Sequence, residues 1–181
     1  MNHFPKQYSD KVAKLRVPFG FVMVAAFLWF SKPTVHSLWY GLPISIAGLA
    51  LRAWATGHLE KNEQLAVSGP YTYVRNPLYL GTLLTAAGFA VASRQWPLGV
   101  LFAAVFALIY LPVIELEEQH LRELFPSYRD YCARAPMLLP AWRPDRAKRR
   151  FRWALYRRNE EHNALLGFLA GVAVLLWKAL R

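Results

Sequence analysis

A chain of 181 residues that is 55% hydrophobic and only 18% charged is too apolar for an ordinary water-soluble domain and long enough for one compact unit. Its formal charge of +11 would suit a nucleic-acid partner, but the basic residues gather beside apolar windows, which argues for membrane topology instead. The lone Cys132 cannot close an internal disulfide, and the five histidines and one cysteine lack metal-ligand spacing, so no metal is expected.

In chain order, the charge-poor windows run over residues 17–30, 38–57, 77–93, 97–114 and 163–177, with Arg52 the exception near the end of the second. A bilayer core needs about 20 helical residues and tolerates about 17, so the second to fourth windows qualify as spans. The first is short and must tilt, borrow Leu15 and Val17, or be a partial span, and bulky Leu28 and Phe30 before Ser31 and Lys32 argue against a cleavable leader. The last qualifies if Lys178 snorkels.

The expected fold is all-α: a polytopic integral membrane protein of about five transmembrane helices forming one membrane-embedded domain over residues 1–181. Its catalytic core would cover about 50–140, a basic interfacial segment 142–162 and a C-terminal transmembrane helix 163–180. Residues 1–16, 58–76 and 115–162 placed in the cytoplasm carry Lys6, Lys11, Lys14, Arg16 and the run Arg143 to Arg158, together with all eleven acidic residues. Lys32, Arg94, Lys178 and Arg181 lie outside. This positive-inside pattern sets the N-terminus in the cytoplasm and the C-terminus outside, in a bacterial inner membrane, with the site facing the cytoplasm.

Beyond the fourth window, Glu115 to Leu124 lacks Gly and Pro, so residues 97–124 are expected to form one helix about 42 Å long. Its last turns would carry Glu115, Glu117, Glu118 and Arg122 into the cytoplasm before Phe125 and Pro126 end it. The stretch Arg143 to Arg158 mixes basic residues with Trp142, Phe151, Trp153, Leu155 and Tyr156; it is either an interfacial amphipathic helix on anionic headgroups or a plain basic flank. Gly167 and Gly171 form a small-xxx-small pair, for packing within the chain or for a homo-oligomer.

Chemistry is expected in two places. In Gly69-Pro-Tyr-Thr-Tyr-Val-Arg-Asn-Pro-Leu-Tyr-Leu-Gly81, Asn76 reads as an N-cap and Pro77 as the first residue of the third span. A helix start presents free N–H groups and partial positive charge, and Arg75 beside it is either a carboxylate-binding fork or a positive-inside anchor. Glu115, Glu117 and Glu118 near the same interface either complement a cationic ligand or form a solvated face with a Glu118–Arg122 pair. His58, after Gly57, either meets the cofactor or is simply hydrated, and Arg52 either faces the site or snorkels.

The string GPYTYVRNPLYLG, followed after one hydrophobic hairpin by ELEEQHLRELFPSYRDYCARAP, closely resembles the isoprenylcysteine carboxyl methyltransferase and phospholipid methyltransferase superfamily. The positions that carry the resemblance are Arg75, Asn76, Pro77, Tyr79 and Gly81, then Glu117, Glu118, Leu121, Phe125, Tyr128 and Tyr131, closing at Pro136. It implies a membrane enzyme that uses S-adenosylmethionine at the cytoplasmic ends of its helices, with Arg75 and Glu118 catalytic. The cofactor would be held by His58, Tyr73, Val74, Arg75, Asn76, Pro77, Tyr79, Leu80, Gly81, Glu117 and Glu118.

No Gly-x-Gly occurs anywhere, which excludes the dinucleotide fingerprint of soluble folds. The implied chemistry is in-line attack of an acceptor on the sulfonium methyl, with positioning as the main contribution. A hydrophobic or amphiphilic acceptor would enter from the bilayer. Two rivals are an NADPH-dependent membrane reductase of the steroid-reductase type and a non-catalytic scaffold held to lipid by the basic segment.

Overall fold

A computed structural model describes residues 5–141 and 149–181, and every element among them is helical. The helices are α1 (Lys6–Phe30), α2 (Val35–Thr56), α3 (Pro77–Ser93), α4 (Trp96–Leu124), α5 (Tyr128–Arg134), α6 (Trp153–Arg158) and α7 (His162–Ala179), with a 3-10 turn at Gly69–Thr72.

Two of these, α4 and α7, are long and apolar enough to cross a bilayer. Helix α1 makes a third if its two parts, Tyr8–Leu15 and Pro18–Phe30, bent by 49°, count as one span; Pro18 cannot donate to the preceding turn and stands at the bend. The expected count of five is therefore not reached on length and apolarity. Helix α3 is apolar but has only 17 residues, and α2 is diluted by His36, Ser37, Ser45 and Arg52.

The tightest contact in the bundle joins α2 and α3, and glycines make it possible. A Cβ at Gly48 would stand 2.5 Å from the Gly81 carbonyl oxygen, and one at Gly81 would stand 2.7 Å from that of Gly48. Gly41 and Gly88 repeat the arrangement two turns further along. Backbones this close let Ser45 donate to the Thr85 carbonyl at 2.8 Å and Ser37 to that of Ala92 at 2.7 Å. Small residues at a helix crossing allow this approach in an apolar medium. The pair singled out from sequence behaves differently: Gly171 meets the Phe89 ring, and nothing lies within 4 Å of a Cβ at Gly167.

Helix α4 runs from Trp96 to Leu124, close to the expected length, through a π-helical turn at Phe106–Tyr110 where the Leu111 N–H reaches back to the Phe106 carbonyl. Pro112 follows and has no N–H for the Leu108 carbonyl one turn earlier. The Tyr8 hydroxyl of α1 donates to that carbonyl instead, at 2.8 Å. Val12 packs beside it against Val105, Ile109 and Val113.

At the far end, the Lys178 ammonium donates to the carbonyls of Leu28 at 2.6 Å and Ser31 at 2.9 Å. Rather than only snorkelling, it caps the C-terminus of α1, where a cation complements the helix dipole.

Of the basic stretch, residues 142–148 lie outside the described ones. The remainder turns largely to protein: Arg152 pairs with Glu60 at 2.6 Å, Arg158 pairs with Glu63, and the Phe151 ring covers Gly57. Arg150, Trp153 and Arg157 are exposed.

Candidate active site

The α2–α3 connection, the start of α3, the projecting end of α4 and residues 159 and 161 line a half-open cavity of about 1220 Å³. Gly20, Phe21 and Val24 of α1 line it on one side, and Tyr71, Asn76, Glu117, Tyr128 and Tyr131 carry polar atoms to it.

The first polar corner forms where α3 begins. Asn76 takes the N-cap position, but its side chain makes no cap bond: Nδ2 donates to Glu118 Oε1 at 2.9 Å and to the Met137 carbonyl at 3.3 Å. Pro77 opens the helix as expected. The Arg75 fork grips Glu118 with two bonds, Nε to Oε1 at 3.0 Å and Nη2 to Oε2 at 3.1 Å. Its Nη1 donates to the carbonyls of Cys132 at 3.1 Å and Ala135 at 3.0 Å, where α5 ends and carbonyls lack helical partners.

Glu118 is only 2% exposed, so this pair is an internal weld between α3, α4 and α5. Burial works against the Arg75 cation, but the Glu118 carboxylate outweighs it and holds the guanidinium pKa above its ordinary value. Four of its five N–H groups thus face protein, which leaves one Nη2 hydrogen.

The weld rests on the aromatic residues of the second motif. Tyr128 and Tyr131 are buried against Leu65, Val67, Leu121 and Phe125, and the Tyr131 hydroxyl donates to the Tyr71 carbonyl at 2.8 Å. Burial pushes the phenols of Tyr71, Tyr128 and Tyr131 up, so they stay protonated donors at neutral pH. Next to them, the Tyr79 hydroxyl donates to Glu117 Oε1 at 2.8 Å, which presents the Glu117 carboxylate at the cavity.

The second corner lies further along α3. Arg52 Nε and Nη2 hold the two oxygens of Glu161 at 2.7 and 3.0 Å, and its Nη1 donates to Thr82 Oγ1 at 2.6 Å. Asn159 Nδ2 donates to the carbonyls of Thr56 at 3.1 Å and Leu59 at 3.0 Å. Arg52, Thr82, Asn159 and Glu161 all line the cavity.

Of the residues expected at the site, Arg75, Asn76, Pro77, Tyr79 and Glu117 line the cavity, and Glu118 stands directly behind Arg75 and Asn76. Five others do not line it. His58 is bonded to Ser68 at 3.0 Å and packed by Trp54 and Phe151, and burial lowers its pKa. Tyr73 leans on Trp54, Val74 is buried, Leu80 is half-buried, and Gly81 faces α2. Sequence reasoning misses Glu161, Asn159 and Thr82, although an arginine inside an apolar window demands a partner and Glu160-Glu161 is the acidic pair just before the last apolar window.

The profile described as phospholipid methyltransferase matches residues 20–127, from α1 through the end of α4. The chain is 31% identical over 131 residues to the cobalt-zinc-cadmium resistance protein CzcN of Cupriavidus metallidurans, covering 65% of this chain and 61% of that protein. It is 31% identical over 149 residues to the nickel-cobalt-cadmium resistance protein NccN of Alcaligenes xylosoxydans xylosoxydans, covering 75% and 70%. Over 74 residues it is 40% identical to methanethiol S-methyltransferase 1 of Bradyrhizobium diazoefficiens, covering 40% and 25%. No solved structure matches. The matched profile takes in both halves of the weld, Arg75 and Glu118, together with most of the cavity they border, and on that footing the chain belongs to the phospholipid methyltransferase family.

Proposed function

We propose that the protein transfers a methyl group from S-adenosylmethionine to an apolar or amphiphilic acceptor, at the cytoplasmic side of a bacterial inner membrane. The observation that carries this reading is the composition of one cavity: motif residues Asn76, Tyr79 and Glu117 share it with Phe21 and Val24 of the apolar α1. A polar cofactor and an apolar acceptor can therefore meet without leaving the same cavity. The carboxylates of Glu117 and Glu161 suit a ligand that carries a sulfonium and an ammonium, and a cavity of about 1220 Å³ is large enough for a cofactor and an acceptor together.

In this reading α2 and α3 also cross the bilayer, as a hairpin held by its glycines, so that five helices span with the N-terminus inside. The cofactor supplies an electrophilic methyl. The chain contributes alignment and exclusion of water, through the weld that fixes the α3 mouth and the aromatic cluster beneath it. A carboxylate acceptor needs no base. A thiol or amine must lose a proton, and Glu117, beside the motif residue Tyr79, is a carboxylate at the cavity for it, since Glu118 is committed to Arg75 and Asn76.

Purified protein should bind labelled S-adenosylmethionine and not NADPH; the reverse result overturns the reading in favour of a reductase. Incubation of membranes with deuteromethyl-labelled cofactor, followed by mass spectrometry, should label a hydrophobic product. Small apolar thiols belong in that panel, because one relative is named for methanethiol.

A further inference from the structure

We infer that the Arg52–Glu161 pair is the subsite for the aminoacyl end of the cofactor, a zwitterion of one carboxylate and one ammonium. The inference rests on the methyltransferase reading and goes beyond it, since Glu161 lies outside the matched residues 20–127.

The two ion pairs at the cavity have the same bidentate form and different surroundings. Arg75 lines the cavity but is held by Glu118 and two backbone carbonyls, and Glu118 itself does not line it. Both members of the other pair do line it, with the Arg52 side chain 25% exposed and that of Glu161 4%. Arg52 gives Nε and one Nη2 hydrogen to Glu161 and Nη1 to Thr82 and, at 3.5 Å, to the Leu78 carbonyl, which leaves an Nη2 hydrogen for an incoming carboxylate. Each Glu161 oxygen keeps a further lone pair for an ammonium.

Asn159 strengthens the case. Its amide nitrogen is committed to the Thr56 and Leu59 carbonyls, so its Oδ1 remains as an acceptor at the same wall. A side-by-side cation and anion attract a ligand carrying the opposite sequence of charges, and the pair need not break to do so. An isolated carboxylate or amine would satisfy one half and be repelled by the other. The setting also explains an otherwise costly feature, because ionisable groups on membrane helices persist where they line a polar cavity.

The test compares two probes on the full chain in detergent: S-adenosylhomocysteine, which has the aminoacyl group, and 5′-methylthioadenosine, which lacks it. Wild-type protein should bind the first more tightly by roughly 10- to 100-fold, the value of one or two charge-assisted contacts. Glu161→Gln should weaken S-adenosylhomocysteine about tenfold and leave 5′-methylthioadenosine within about twofold. The paired replacement Arg52→Met with Glu161→Leu, which avoids a stranded charge, should abolish the preference between the probes. Equal weakening of both probes in Glu161→Gln, or an intact preference in the paired variant, overturns the assignment and leaves the pair a structural clamp. Failure of wild-type protein to bind either probe overturns both this assignment and the methyltransferase reading.

Discussion

At the mouth of α3, Arg75 meets one carboxylate and two backbone carbonyls; on α2, facing the next turns of α3, Arg52 meets one carboxylate, a hydroxyl and, at 3.5 Å, the Leu78 carbonyl. In the first pair only Arg75 reaches the cavity, its carboxylate is sealed behind it, and the pair ties three helices together. The second keeps polar atoms turned toward open space. The side-chain chemistry of the two pairs is the same, and what differs is the placement of the carboxylate: Glu161 lines the cavity and Glu118 does not.

The sharpest way to break this comparison is to remove each carboxylate in turn. Glu118→Ala strands the buried Arg75 cation and should cost about 3–5 kcal/mol of stability, whereas Glu161→Ala leaves a cation that the cavity can hydrate and should cost about 1–3 kcal/mol. Thermal or denaturant unfolding in detergent measures both, and equal losses would erase the distinction between sealed and open corners.

A smaller effect sharpens it. Gly48→Leu drives a side chain into the Gly81 backbone and should destabilise by about 1–3 kcal/mol, because neither helix can yield without breaking its own bonds. Cross-linking between positions on α2 and α3 should drop while contacts between α3 and α4 persist, since only the Arg52 corner depends on that crossing.

Smaller still is the strap over the connecting loop. Arg152→Ala removes an exposed partner of Glu60 and should cost only about 0.2–1 kcal/mol, a difference that fades at high salt. A large loss there would mean that the cavity roof is held by surface charge, contrary to the division between a sealed and an open corner.

The least effect concerns pH. Burial lowers the His58 pKa below its ordinary 6.5, so the folded state prefers the neutral ring. As pH falls through 6.5 the unfolded chain takes up the proton first, and stability declines until the folded value is passed. Unfolding measured across that window should slope gently for wild type, and His58→Gln should flatten it.

Much of the fold is legible in the residues themselves. Pro77 announces the start of α3, and the absence of Gly and Pro after Glu115 announces that α4 continues past its apolar part. Convergence of Arg75 with Glu118 follows from two motifs in order. The hidden features depend on pairs distant in sequence. Gly41, Gly48, Gly81 and Gly88 look unremarkable singly and matter only when α2 lies against α3. Glu161 stands 109 positions from Arg52, and no local pattern joins them. Asn76 is an N-cap by type, yet the stronger acceptor Glu118 draws its amide away.

Helix α7 carries one charged tether at each end: Glu161 reaches the cavity wall, and Lys178 grips the last carbonyls of α1. The interval between them is about 25 Å of rigid rod, so the helix works as a gauge whose length and phase are checked at both ends. Adding a single residue midway would turn one tether about 100° away from its socket while the other stayed home. The last turn of α7 thus helps decide how the carboxylate at its opposite end is aimed.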